Sequence, residues 1–95
     1  MKESQIERRL VKGVQERGGM CPKFVSPGLP GVPDRIVITP DGRVIFVELK
    51  TTVGSLQKIQ RWVIGEMQKR GADVRVLKGL DEVKEFLEEV LPHAV

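Results

Sequence analysis

The stretch "GVPDRIVITPDGRVIFVELK", residues 31–50, decides how the rest of the chain must fold. It holds two apolar runs, residues 35–39 and 43–50, joined by Pro40, Asp41 and Gly42. Proline presets φ for the second position of a type I turn, and glycine accepts the left-handed conformation that closes it. This is the common three-residue hairpin loop. The spacing then pairs Thr39 with Arg43, Ile38 with Val44, Ile36 with Phe46 and Asp34 with Glu48. Residues directly opposite share one face of the sheet, with Cβ atoms about 4.5–5.5 Å apart. Lys50 lies two residues beyond Glu48 and points the same way, whereas Ile45, Val47 and Leu49 point to the other face. With apolar side chains on both faces, the second run should be a central strand covered on each side.

Asp34, Glu48 and Lys50 then stand together at one end of the hairpin. Two carboxylates at the end of a buried strand repel each other, so one keeps its proton or a cation neutralises the pair. Lys50 supplies one positive charge. A hard divalent cation would supply the rest, and Mg²⁺ suits the place because it takes one or two carboxylates and keeps its waters for a phosphate substrate. An ion-paired strand end, with Lys50 bridging two acids, accounts for the same residues. The geometry depends on register, since a slip of one residue would put Asp34 and Glu48 on opposite faces.

Working outward, residues 3–17 carry Ile6, Leu10, Val11 and Val14 at helical spacing, and Gly18-Gly19 stops that helix. "MCPKFV" reads as a short strand, and "SPGLPGVP" as a loop rich in proline and glycine. A helix is expected over residues 54–70, with Ser55 as its N-cap and Gly71 as its stop. "ADVRVL" reads as a third good strand and "LDEVKEFLEEVL" as a closing amphipathic helix. The order αβββαβα implies an α/β fold with a mixed β-sheet flanked by helices. Two more polar residues fall on apolar stripes. Glu7 precedes Leu10, Val11 and Val14, with Glu3 one turn earlier on the same side. Gln60 shares a face with Leu56, Val63, Ile64 and Met67. Each would singly pass for a stripe-edge side chain reaching out to water. With Asp34, Glu48 and Lys50 they form one inward-facing polar cluster.

The 95 residues fit one domain, residues 1–95, with a small core that oligomerisation would help. No stretch has the length and apolarity of a membrane span, and residues 1–9 lack the apolar centre of a secretory signal. One cysteine, Cys21, cannot form an internal disulfide and suits a reducing cytoplasm. With His93 the one histidine, a zinc site built on Cys/His spacing is excluded, so any metal must be held by oxygen. The net charge of +3 hides an asymmetry: residues 1–80 hold 15 basic and 8 acidic residues, and the closing helix is acidic. A basic body of this kind fits a polyanionic partner, although a merely solvated surface has the same composition.

At these residues the chain resembles a known family. "GVPDRIV" followed by "VIFVELK" is similar to the PD-(D/E)xK nuclease signature, with Asp34, Glu48 and Lys50 at its three positions. "KFVSPG" before it and "LQKIQ" after it narrow the resemblance to the VRR-NUC family, in particular its small stand-alone phage and bacterial members, over about residues 3–77. The resemblance implies a restriction-endonuclease-like core and a divalent-metal-dependent endonuclease that hydrolyses DNA phosphodiester bonds. Asp34, Glu48 and the backbone carbonyl of Leu49 would bind Mg²⁺, with Mn²⁺ able to substitute. Lys50 would position or deprotonate the attacking water. The family's first-helix glutamate falls on Glu7, which would reach the metal through water, with Glu3 as the alternative; its glutamine falls on Gln60. Lys23, Ser26, Arg35, Lys58 and Arg61 are candidate nucleic-acid contacts, although basic residues in such places are more often plain solvated surface. The small members tend to act as homodimers on branched DNA such as four-way junctions, in the cytoplasm of a bacterium or a phage-infected host. Two other readings stay open: a non-catalytic nucleic-acid-binding module that keeps the fold, and an interaction domain that docks a partner through its acidic helix.

Overall fold

The computed structural model describes residues 1–93. Its elements are α1 (Glu3–Glu16), β1 (Arg35–Ile38), β2 (Val44–Lys50), α2 (Lys58–Lys69), β3 (Val74–Lys78) and α3 (Gly79–Val90). The sheet order is β1-β2-β3, with β1 antiparallel and β3 parallel to β2. The sheet is therefore mixed, and β2 is its central strand.

The hairpin has the register that its turn dictates. Ile38 pairs with Val44, Val37 with Ile45, Ile36 with Phe46 and Arg35 with Val47. Gly42 takes the left-handed conformation at φ 89°, and its N–H donates to the Thr39 carbonyl at 2.9 Å. Thr39 is buried because it closes the loop from both sides. Its N–H donates to the Arg43 carbonyl at 3.0 Å, and its Oγ1 accepts the Arg43 N–H at 2.9 Å.

Residues 20–24 form no continuous strand, yet they lie antiparallel along the free edge of β1. The N–H of Met20 donates to the Ile38 carbonyl, that of Ile38 to Met20, that of Ile36 to Pro22 and that of Phe24 to Asp34, at 2.8–3.0 Å. Pro22 has no N–H to give to the ladder, so the pairing is reduced to bridges at Met20 and Lys23. Counted as the first strand, this segment gives the expected order αβββαβα.

The core lies between one face of the sheet and the two helices α1 and α3. Ile6, Leu10 and Val14 of α1 meet Val37, Ile45, Val47 and Leu49 of the sheet and Val83, Phe86, Leu87 and Val90 of α3. The spacing of four in α1 keeps those three side chains on one stripe. Among the described residues, the other face is covered by α2, through Val63 and Ile64, and by the Phe24–Phe46 ring pair with centroids 5.5 Å apart.

The second helix begins later than its sequence implied. It starts at Lys58 with Gln57 at the N-cap, and residues 51–57 are a loop. Ser55 is bypassed because the Gln60 side chain accepts the Gln57 N–H at 2.9 Å, which satisfies an orphan donor of the first turn without a serine. No helix among the described residues is long and apolar enough to cross a membrane.

Candidate functional site

Asp34 follows the loop of residues 26–33 and sits just before β1, while Glu48 and Lys50 lie at the C-terminal end of β2. Glu48 is 1% exposed, an unusual burial for a carboxylate. Its Oε2 forms an ion pair with Lys50 Nζ at 3.3 Å and accepts a hydrogen bond from Gln60 Nε2 at 3.1 Å. The cap of α2 sets the direction of that glutamine. With its oxygen taken by the Gln57 N–H, its NH₂ must face Glu48. The other oxygen of Glu48, Oε1, is buried and accepts no hydrogen bond of ordinary geometry among the described residues, although the Asp34 backbone N–H lies close enough to favour the ionised carboxylate.

The third acid is Glu3. One carboxylate oxygen each from Glu3, Asp34 and Glu48 lie within 4.8 Å of one another. Glu3 is exposed in the first turn of α1, Asp34 is half-buried and Glu48 is buried, so the cluster opens from the core towards solvent. Glu7, one turn later, is held by Arg35, whose Nε donates to Glu7 Oε2 at 3.3 Å and whose Nη1 donates to the Cys21 carbonyl at 2.9 Å. The geometry thus gives the two glutamates different places: Glu3 in the acidic cluster and Glu7 in an ion pair behind it.

The charges crowd one another. Burial raises the pKa of Asp34 above the usual carboxylate range and the Glu7 carboxylate adds to it, with Lys50 and Lys23 opposing. Burial likewise raises that of Glu48, reinforced by Asp34 and opposed by Lys50. Burial also pushes the Cys21 thiol up to about 11, so it stays a protonated, unreactive thiol at neutral pH.

One backbone oxygen lies between Glu48 and Lys50 along β2, the Leu49 carbonyl. In the hairpin, Arg35 and Val47 face each other as a hydrogen-bonded pair, and the same alternation continued one step places Pro33 opposite Leu49. Proline has no N–H, so the ladder supplies no donor to the Leu49 carbonyl at the site. Three carboxylates, one of them with a buried unpartnered oxygen, form an all-oxygen donor set, with the Leu49 carbonyl next to Glu48 in the chain. Such a set fits a hard divalent cation. Glu3, Asp34, Glu48 and the Leu49 carbonyl are the groups that would hold it.

The basic candidates divide. Lys23 lies on the bridge to Arg35 and is close enough to Asp34 to lower its pKa. Ser26 is half-buried, with its carbonyl accepting the Leu29 N–H at 3.3 Å. Lys58 and Arg61 are exposed on α2 and pair with no carboxylate among the described residues. Arg35 is 15% exposed and already engaged with Glu7 and Cys21, which makes it a brace between α1 and the sheet edge. Sequence reasoning did not find that brace, although a signal was present: Arg35 alternates with Val37 and so points to the face that α1 covers.

Comparison with known proteins agrees with the geometry. The model of the VRR-NUC domain matches residues 2–81. A curated relative, "Putative nuclease p44" of Acyrthosiphon pisum secondary endosymbiont phage 1, is 54% identical over 50 residues, which cover 53% of this chain and 54% of that protein. The chain thus spans about half the length of the curated relative it matches. A solved structure described as a VRR_NUC domain superposes with a TM-score of 0.85 at 29% identity, covering 90% of this chain and 94% of the other. A second, a VRR_NUC domain protein, shares the fold at 18% identity, with a TM-score of 0.75 over 98% of this chain and 92% of the other. With the model match running from the first turn of α1 through β3, the chain belongs to the VRR-NUC domain family.

Proposed function

We propose that this chain is a divalent-metal-dependent endonuclease that hydrolyses DNA phosphodiester bonds. The observation that carries this reading is Glu48: a buried carboxylate with one unpartnered oxygen, beside two further acids and a lysine. A fold that needed only a stable strand end would satisfy both oxygens or use an apolar side chain. A purely nucleic-acid-binding module has no use for such a cluster, because three acids repel phosphate.

Mg²⁺ is the proposed ion, with Mn²⁺ as substitute; when bound, it polarises a phosphoryl oxygen and lowers the pKa of a bound water. The protein does the rest. Lys50 and Gln60 both hold Glu48 Oε2, which fixes the carboxylate and limits the rearrangement that binding would need. Asp34 and Glu3 complete the negative pocket from two other elements. Lys50 carries a positive charge beside Glu48, where it can orient the attacking water and stabilise charge that grows on the phosphorus oxygens. Lys23, Ser26, Lys58 and Arg61 would hold the strand by its phosphates.

The substrate in this proposal is branched or structured DNA, such as a four-way junction, cut by a homodimer in the cytoplasm of a bacterium or phage-infected cell. A symmetric pair of sites suits two-strand cleavage. Support for a second copy comes from apolar side chains left uncovered around α2: Leu29, Ile59 and Trp62 are 43%, 42% and 59% exposed. The test is a panel of labelled linear, nicked, flapped and four-way DNA with and without Mg²⁺. Wild-type protein should cut the branched substrates only with metal, and Asp34→Ala should lower the rate by at least about a hundredfold. Equal behaviour of wild type and Asp34→Ala on every substrate would sink the proposal.

A further inference from the structure

Among the described residues, eight lysines and arginines have no carboxylate within 4.0 Å; Lys2 and Lys78 stand apart, and the other six fall into two groups. Lys23, Lys58 and Arg61 belong to the loop and α2, on the side already assigned to the substrate. Arg8 and Arg9 of α1 and Lys84 of α3 form the other group, and none has a carboxylate within 4.0 Å among the described residues. They gather because α1 and α3 run parallel over the same face of the sheet, with Arg17 beside Glu88 and an open groove of about 490 Å³ between the helices. Arg9, Lys12, Arg17 and Lys84 line that groove. Its two acids are already engaged, Glu16 by Lys12 at 3.9 Å and Glu88 by Arg17 at 3.4 Å, which leaves Arg9 and Lys84 as uncompensated charge. A second groove of about 380 Å³ follows the other flank of α1, past Arg8, Lys12 and Arg35. Lys12 borders both, so Arg8, Arg9 and Lys12 form a cationic ridge along the outward face of α1, with Glu16 at its far end.

The third helix is sided in a way that its composition conceals. Glu82, Glu85 and Glu89 line its far flank together with Arg75, while its one lysine, Lys84, faces α1. Although α3 is acidic overall, the flank that borders the ridge adds Lys84 to it, and its one acid there, Glu88, is engaged by Arg17.

We propose that the outward face of α1, with Lys84 of α3, is a second DNA-contact surface that binds backbone phosphates of the duplex arm leaving the acidic site. This rests on the nuclease reading and extends it. Glu3 begins α1 and takes part in the acidic cluster. At about 1.5 Å per residue, Arg9 stands roughly 9 Å and Lys12 roughly 14 Å further along the axis. With a duplex rise of about 3.4 Å per step, those distances correspond to phosphates about three to four base pairs from the site. The surface offers exposed, flexible cations and no aromatic platform, so it reads backbone charge and carries no base preference.

The experiment is a salt titration of affinity for labelled duplex and four-way DNA, with Ca²⁺ in place of Mg²⁺ to hold the substrate uncut. The double variants Arg9→Glu/Lys84→Glu and Arg8→Glu/Lys12→Glu should each bind at least about tenfold more weakly. Each should also flatten the slope of log K against log salt by about 2, at roughly 0.9 per lost contact. The neutral pair Arg9→Gln/Lys84→Gln should give the same loss of slope, which guards against misfolding of the reversed-charge variants. Lys69→Glu/Arg70→Glu, at the opposite end of α2, should leave the slope alone. If wild type binds DNA with strong salt dependence and the α1 variants match it, this surface is not a contact and the nuclease reading stands. Wild type that neither binds nor cuts any DNA removes both. Variants that keep their affinity but sediment as smaller particles would assign the ridge to a contact between copies and overturn the proposal.

Discussion

At the residue scale the site is a set of charges that the metal-free fold holds at a cost. Asp34 and Glu48 both have pKa values raised on folding, first by burial and then by neighbouring carboxylates. A raised carboxyl pKa means that the folded chain keeps protons the unfolded chain has released, beginning near the ordinary value of about 4. Stability contributed by these groups is therefore lost as pH rises through that window, the reverse of a salt-bridged aspartate. Asp34→Asn should accordingly raise the melting temperature of the metal-free protein at neutral pH while abolishing cleavage. The gain should shrink towards pH 4, because the wild-type carboxyl is then protonated too. Thermal melts in a chelator across that range measure it, and a variant less stable than wild type at pH 7 would refute the account. The same scale shows why the choice between Glu3 and Glu7 was not legible in the sequence. Both lie on one stripe, a turn apart, and periodicity cannot tell them apart. In the structure Arg35 crosses from β1 to pair with Glu7, whose charge still acts on Asp34, while a Glu3 oxygen lies with those of Asp34 and Glu48.

At the scale of elements, the hairpin was fully readable and its surroundings less so. Pro40, Asp41 and Gly42 fix the turn, the turn fixes the register, and the register brings Asp34 level with Glu48. That chain of consequence is local, so sequence suffices for it. The start of α2 depends instead on where Gln60 sits relative to Glu48, a contact twelve residues apart, and so Ser55 looked like a cap that the fold does not use. The loop of residues 26–33 is likewise set by packing. Gly31 adopts φ 89°, and a Cβ there would lie 2.9 Å from the Ile59 carbonyl oxygen. The neighbour is backbone at the start of α2 and cannot turn aside. Gly31→Ala should therefore destabilise the fold by about 1–3 kcal/mol, through left-handed strain and displacement of the loop from α2. Because Asp34 follows this loop and Gln60 lies next to Ile59, activity should fall further than stability explains. Denaturant unfolding alongside single-turnover cleavage separates the two effects, and a variant that loses neither would show that loop and helix do not meet in solution.

At the scale of the whole molecule, a 95-residue chain has one well-filled layer, between α1, α3 and the sheet, and one thin layer under α2. The acidic site lies where elements from both sides converge: Glu3 from α1, Glu48 and Lys50 from β2, and Gln60 from α2. A cation bound there ties these elements together, so its binding free energy should appear as stability of the entire domain rather than of a single loop. At a concentration about a hundredfold above its dissociation constant, the ion should add roughly 2.7 kcal/mol. For a domain of this size each kcal/mol raises the melting temperature by about 4–8 °C. Bound metal should also reverse the pH trend of the metal-free protein, since ligands must be deprotonated to bind and protonation now releases the ion. Glu48→Gln removes the charge that aims the free oxygen and should abolish most of the shift, while Lys84→Gln, on the far side of α1, should retain all of it. Melts of the three proteins in chelator, Mg²⁺ and Mn²⁺ decide the matter. An equal shift in wild type and Glu48→Gln would place the ion elsewhere, and no shift in wild type would leave the buried, unpartnered oxygen of Glu48 without its proposed ligand.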